Sequence, residues 1–183
     1  ARQYYVIDTD YDYLVLQKIL SEKQPKWSMT YEGLGAKYNW NNVLAKALQD
    51  NPDISYLVSP GDNTSTGSTD AEWQTLLMPE ALRSLPLALA IGNHDKKGMT
   101  YNYFTNMPNE YYGRFFTGLD RDFWFRYGDV LYLVFNSTSG NAPDHMAMAK
   151  EAVEKNPDAK WRIGVVHHGI FGAGDCIGDA ETE

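Results

Sequence analysis

Apolar and polar positions along the chain switch between a helical and a strand period. Tyr4-Tyr5-Val6-Ile7 is a β-prone run followed by Asp8-Thr9-Asp10-Tyr11-Asp12, and Leu14, Leu16, Ile19 and Leu20 then predict a helix ended by Pro25. Residues Trp27 to Lys37, with Ser28, Gly33 and Gly35, read as loop. Trp40, Val43, Leu44, Ala47 and Leu48 fall on one face of an amphipathic helix over Asn39 to Asp50, with Asn39 as its cap. After the turn Asn51-Pro52-Asp53, Ile54 to Val58 predicts a short buried strand running into Pro60-Gly61-Asp62-Asn63. The plan repeats: a helix over Ala71 to Leu82, a strand over Leu85 to Ile91, then Gly92-Asn93-His94-Asp95.

Lys96 to Asp120 is aromatic and turn-rich without a clean period, and reads as a long loop. Phe123 to Tyr127 and Val130 to Asn136, around Gly128-Asp129, predict a two-stranded hairpin. His145 to Lys155 predicts a helix, Asn156-Pro157-Asp158 a turn, and Trp161 to Val166 a last strand ending in His167-His168-Gly169. The tail from Phe171 to Glu183 has no pattern. Three times, then, a strand runs into a polar loop: after Val58, after Ile91 and after Val166. Helices separate the strands, which is α/β architecture with a site at the carboxyl ends of the strands.

The 183 residues suffice for one domain with a core of its own. With 16 Lys plus Arg against 24 Asp plus Glu, the net charge is −8, and without a basic cluster the surface repels a phosphate backbone. A nucleic-acid-coating role is therefore not expected. No apolar run approaches the roughly 18–20 residues of a membrane span, and no secretory signal is legible. Cys176 stands alone, which excludes an internal disulfide and reads as a plain loop thiol.

The chemistry sits at the three strand ends: Asp62 and Asn63, then Asn93, His94 and Asp95, then His167 and His168. Three of the four histidines lie there. Carboxylate, amide oxygen and imidazole form the ligand set of a divalent metal such as Mn, Fe or Zn. Gly61 and Gly92 let the backbone turn sharply so that the side chains converge. A carboxylate such as Asp62 can bridge two ions, and a pair about 3.5–4 Å apart activates a water and clamps phosphoryl oxygens. Gly-Asp alone is a common turn and a His-His pair is commonly surface. Gly-Asn-His-Asp is more specific, since a given tetrapeptide occurs by chance in a chain of this size on the order of one time in a thousand. His145 has no evident partner and reads as a solvated or core histidine.

The succession strand–Gly-Asp, strand–Gly-Asn-His-Asp, strand–His resembles the calcineurin-like metallophosphoesterase superfamily, and within it the purple-acid-phosphatase-like bacterial enzymes. Tyr38-Asn39-Trp40-Asn41, Tyr127-Gly128-Asp129-Val130 and Asn156-Pro157-Asp158-Ala159-Lys160-Trp161 share that flavour, so the likeness spans roughly Tyr38 to Asp179. The resemblance implies a layered α/β/β/α sandwich over residues 1–183, its C-terminal part lacking. It implies hydrolysis of phosphoric esters at a dinuclear centre of divalent or trivalent ions through a metal-bridging hydroxide. Asp62 resembles the bridging carboxylate, and Asn93 and His167 resemble ligands of the second metal. His94 resembles the histidine that assists the leaving group, with Asp95 orienting it. His168 and Asn63 are substrate-side candidates for a phosphorylated small molecule. A purple acid phosphatase proper carries an iron-binding tyrosine where Ser65 stands, so no tyrosinate–iron colour is expected. The family frequently acts outside the cell or in its envelope, which places this chain there by expectation.

Two motifs depart from that pattern. The opening Asp-x-His is matched only by Asp8-Thr9-Asp10, in which Asp8 and Asp10 serve as first-metal ligands or form a solvated acidic turn; Glu32 is a poorer substitute. The closing Gly-His-x-His is absent, since no histidine follows His168. An incomplete domain accounts for this, and so does the alternative of a catalytically degenerate binding domain on the same fold. A metal-free hydrolase is disfavoured by the lack of a Gly-x-Ser-x-Gly elbow.

Overall fold

The helical period before Asp50 begins earlier than the sequence predicts. In a computed structural model, which describes residues 34–96, 100–111 and 122–169, helix α1 runs from Leu34 to Asp50. Leu34, Ala36 and Lys37 are good helix formers that add little cost to the roughly 1 kcal/mol of Gly35. Asn39 is therefore an interior helix residue and not a cap. The chain divides into two units, Ala1–Asn42 and Val43–Glu183, and everything below lies in the second. The predicted strand at Tyr4–Ile7, the helix ending at Pro25, Glu32 and Cys176 lie outside the described residues.

Strand β1 (Leu57–Ser59) pairs in parallel with β2 (Leu87–Leu89), in the register Leu57↔Leu87, Val58↔Ala88, Ser59↔Leu89. Between them lie helix α2 (Asp70–Leu77) and a 3₁₀ turn (Glu80–Arg83). The sequence predicts one helix to Leu82, but Pro79, at φ −52° and ψ 130°, leaves the helical region and splits it. Helix α3 (Thr100–Phe104) interrupts the predicted long loop, because Tyr101 is buried and donates its hydroxyl proton to the Leu89 carbonyl at 2.5 Å.

The hairpin forms as its alternation predicts. Strand β3 (Phe123–Tyr127) is antiparallel to β4 (Val130–Val134), joined through Gly128 at φ +57°. Helix α4 (Ala142–Lys155) starts three residues before His145, with Pro143 in its first turn, where a missing N–H costs nothing. Strand β5 (Trp161–Val165) then pairs in parallel with β4 and is the outermost strand of that sheet among the described residues.

Period-2 alternation sorts these elements into four layers. Leu87, Leu89 and Ile91 face the helices, packing with Trp73 and Leu76 of α2 and Tyr101 and Phe104 of α3. Ala88 and Ala90 point the other way and meet Phe123, Phe125 and Val134 of the second sheet. On that sheet's far face, Trp124, Leu131 and Leu133 pack on Met148, Ala152 and Val153 of α4. The result is helix, sheet, sheet, helix: a mixed α/β fold of the expected α/β/β/α kind. Each fully buried large apolar side chain contributes about 1.5–3 kcal/mol. Tyr56 crosses between the sheets, with its hydroxyl on that of Tyr132 and its ring edge-on to Phe125. The Tyr132 hydrogen bond, and then burial, push the Tyr56 phenol up to about 12. Among the described residues no helix is long and apolar enough to cross a membrane.

Candidate metal and catalytic site

The carboxyl ends of β1, β2 and β5 bring three loops to one place. Gly61 and Asp62 leave β1 in the left-handed region, at φ +114° and +51°; aspartate is among the few non-glycine residues that tolerate it. This turns the Asp62 carboxylate onto the second loop, where its Oδ1 accepts the His94 amide at 3.0 Å. The loops touch so closely that a Cβ on Gly92 would lie 2.2 Å from Asp62 Oδ1 and 2.3 Å from Asp62 N. A Cβ on Gly61 would lie 2.7 Å from His167 Nδ1. Backbone without side chains at these two points is what lets Asp62, Asn93 and His167 converge.

They meet at one atom. His167 Nε2 is 3.0 Å from Asn93 Oδ1 and 3.3 Å from Asp62 Oδ1. Donors held by one divalent ion at about 2.0–2.2 Å, at right to tetrahedral angles, are themselves roughly 3.0–3.5 Å apart. The spacing and the O, O, N composition therefore fit a single Mn, Fe or Zn ion. Among the described residues no three His, Cys, Asp or Glu side chains gather, so Asn93 is needed as the third donor. Asp8 and Asp10, expected as first-metal ligands, lie outside the described residues.

Asp95 does something other than expected. Its side chain is fully buried. Oδ2 accepts from the amides of Gly92 (2.9 Å) and Asn63 (3.1 Å) and from Asn63 Nδ2 (2.9 Å). Oδ1 accepts from the Thr64 amide (2.9 Å) and hydroxyl (3.0 Å). These five bonds tie the Gly-Asp loop to the Gly-Asn-His-Asp loop. His94 is oriented by another group: its Nδ1 is 2.8 Å from the Ser65 carbonyl. A carbonyl only accepts, so Nδ1 carries the hydrogen and Nε2 stays outside this bond. Asn63, expected on the substrate side, has its side chain committed to the loop, through Asp95, the Ala90 carbonyl (2.8 Å) and the Ser59 hydroxyl (2.6 Å).

His168 stands beside His167, with ring centroids 5.0 Å apart, and is exposed. The Ser137 hydroxyl accepts the His168 amide at 3.1 Å and lies 2.9 Å from its Nδ1. Lys96 Nζ donates to the Thr138 carbonyl at 3.0 Å, so the loop after β4 spans from the second motif to the third. That loop is anchored below. Asp122 Oδ1 accepts the Asn136 amide at 2.8 Å, and Asn136 Oδ1 accepts the Thr138 amide and hydroxyl. His145 Nδ1 is 2.6 Å from Asp122 Oδ2, and its Nε2 is 3.0 Å from the Ser139 carbonyl. Both partners only accept, so both nitrogens are protonated. Burial pushes the His145 pKa down, but the Asp122 bond, the Ser139 carbonyl and the charges of Asp122 and Asp144 outweigh it and raise the pKa. His145 is thus a partnered imidazolium, where the sequence showed no partner. Sequence reasoning noted Ser65 only for the tyrosine it replaces, and passed over Glu72, Asp122 and Ser137. Only Glu72 left a trace, as the last residue of Thr69-x-x-Glu72, a capping-box pattern whose carboxylate in fact goes elsewhere.

A family model described as calcineurin-like phosphoesterase matches residues 31–183. No curated protein and no solved structure matches the chain.

Proposed function

Because the chain belongs to the calcineurin-like phosphoesterase family, we propose that it hydrolyses phosphoric esters at the cluster of Asp62, Asn93, His94 and His167, with two metal ions. The family is mostly one of phosphoester hydrolases that use divalent ions. The observation that carries the reading is the convergence of Asp62 Oδ1 and Asn93 Oδ1 on His167 Nε2, within 3.3 Å, from three separate strand ends. Asp62, Asn93 and His167 would hold one ion in this reading. When bound, the ions offset phosphoryl charge and make a water nucleophilic near neutral pH.

The chain's own residues do the rest. The water oxygen bonds to phosphorus as the ester P–O bond breaks, and His94 gives its Nε2 proton to the departing alkoxide. The Ser65 carbonyl holds the ring while this happens, since it fixes the hydrogen on Nδ1. Exposed His168, steadied by Ser137, faces the same loops and contacts the substrate's phosphoryl or leaving group. The net charge of −8 does not oppose an anionic substrate where cations occupy the cleft.

The test is turnover of 4-nitrophenyl phosphate by the purified chain with Mn, Zn or Fe, alongside elemental analysis. The expected outcome is metal-dependent activity, near two metals per chain, and, for an alkyl phosphate assayed beside the aryl ester, a loss of on the order of 10²–10⁴ in His94→Ala. Full activity of His94→Ala with a chelator present refutes the reading. Near-zero metal with no turnover favours a degenerate binding domain.

A further inference from the structure

The orientation of His94 leads one step further from the site. The Ser65 carbonyl that receives its Nδ1 proton belongs to the same peptide plane as the Thr66 N–H. That N–H donates to Glu72 Oε2 at 2.9 Å, and the Ser65 N–H donates to the same oxygen at 2.7 Å. The peptide is therefore gripped from both sides, Glu72 on its N–H and His94 on its C=O. Planarity sets these two groups in opposite directions, so fixing one aims the other. A carboxylate on the N–H also polarises the peptide and strengthens its carbonyl as an acceptor. Glu72 is itself held, because its neighbour Trp73 is fully buried and donates Nε1–H to the Gly67 carbonyl at 2.9 Å. The Gly67 amide in turn donates to the His94 carbonyl at 2.9 Å, so α2, the first loop and His94 form one closed circuit.

We propose that Glu72 is a positioning residue for His94: it holds the Ser65–Thr66 peptide so that Ser65 O fixes the Nδ1–H tautomer and keeps Nε2 for the leaving group. The inference rests on the phosphoesterase reading for its kinetic consequence and on geometry alone for the tautomer. Without Glu72 the peptide is free to flip, presenting an N–H to His94 Nδ1 and moving the hydrogen to Nε2. A ring whose Nδ1 faces an N–H takes no second hydrogen there, so the charged ring that gives up its Nε2 proton does not form.

The experiment compares Glu72→Ala and Glu72→Gln in the full chain. Glutamine keeps an acceptor oxygen and alanine does not. For an alkyl phosphate, whose leaving group needs a proton, kcat in Glu72→Ala is expected to fall about 10- to 100-fold. For 4-nitrophenyl phosphate, which leaves unaided, it is expected to fall less than about 3-fold, with KM within about 2-fold for both esters. Glu72→Gln restores most of the loss. In parallel, nitrogen-15 spectra of the metal-free chain at alkaline pH, with His94 assigned by its absence in His94→Gln, report the tautomer. Nδ1–H is expected in wild type and Glu72→Gln, and Nε2–H or a mixture in Glu72→Ala. Should Glu72→Ala fail to fold, Glu72→Met keeps the bulk, removes the acceptor and carries the same expectations. Retention of Nδ1–H, or equal losses on both esters, overturns the proposal. If wild type turns over neither ester with any of the three metals, the phosphoesterase reading fails, and the spectra alone decide the role of Glu72.

Discussion

Asp95→Asn separates two roles for a residue that sequence reasoning assigned to His94. The carboxylate accepts five hydrogen bonds from Asn63, Thr64 and Gly92 and is fully buried. An amide at this place has one accepting oxygen. Set at the Oδ2 position, it satisfies the Asn63 and Gly92 donors, and the Thr64 hydroxyl can rotate to accept from the new NH₂. The Thr64 amide, though, now faces a donor. A buried donor left unpaired costs about 1–3 kcal/mol, and four remaining bonds lose the charge that strengthened them. The sum is a destabilisation of about 2–4 kcal/mol, which for a chain of this length lowers Tm by roughly 5–15 °C. The assay is urea and thermal unfolding of the metal-free protein, with His94→Ala beside it. That variant removes only the Ser65 bond of a partly exposed ring and is expected to cost less than about 1 kcal/mol. An Asp95→Asn protein with wild-type unfolding and a selective loss of kcat refutes the clamp and returns Asp95 to a role on His94.

Gly92→Ala places a methyl 2.2 Å from Asp62 Oδ1, so the loops must separate, and calorimetry with Mn²⁺ or Zn²⁺ is expected to show metal affinity lowered by at least about tenfold. The raised pKa of His145 makes its contribution to stability complete below the ordinary imidazole value near 6.5. That contribution is lost as pH climbs through the higher native value, so the gap in unfolding free energy between wild type and His145→Gln should shrink from pH 6 to pH 9. A gap that stays constant or widens contradicts the charged ring. The Tyr56 phenol at about 12 keeps its proton where ordinary tyrosines ionise, so alkaline absorbance titrations of wild type and Tyr56→Phe should coincide up to about pH 11.

Much of the frame was legible because it is written in local periodicity. The hairpin of β3 and β4, the helix before Lys155 and the three strand-to-loop motifs all follow from alternation and turn residues within a few positions of each other. Helix limits were less legible. Pro79 sits inside an otherwise helical pattern, and Gly35 breaks a stretch whose other residues favour a helix, so propensity was weighed wrongly in both directions. The donor set was readable since Asp62, Asn93 and His167 each end an apolar strand. What holds those donors was not, because the partners are remote. Asp95 reaches back 31 and 32 residues to Thr64 and Asn63, and Asp122 reaches 23 forward to His145. Residue type says that such a carboxylate is polar; only the tertiary fold says that it is buried and on what it closes. Asp95 next to His94 invited a pairing by proximity in sequence, while the fold spent it on the neighbouring loop.

The ladder joining β1 to β2 is three residue pairs long, and so short a ladder specifies its alignment poorly. Sliding one strand by a residue would shift Asp62 by about 3.3 Å against Asn93 and swap the faces on which Leu87 and Ala88 lie. After such a slip the oxygens of Asp62 and Asn93 no longer reach a common nitrogen, and the amides that Asp95 collects are out of range. On the proposed reading, the cluster would therefore also be a gauge of strand alignment: only the correctly aligned chain would chelate. Any ion that binds there withdraws that alignment from the pool of near-misses by mass action, so the same atoms that would serve turnover also proofread the sheet.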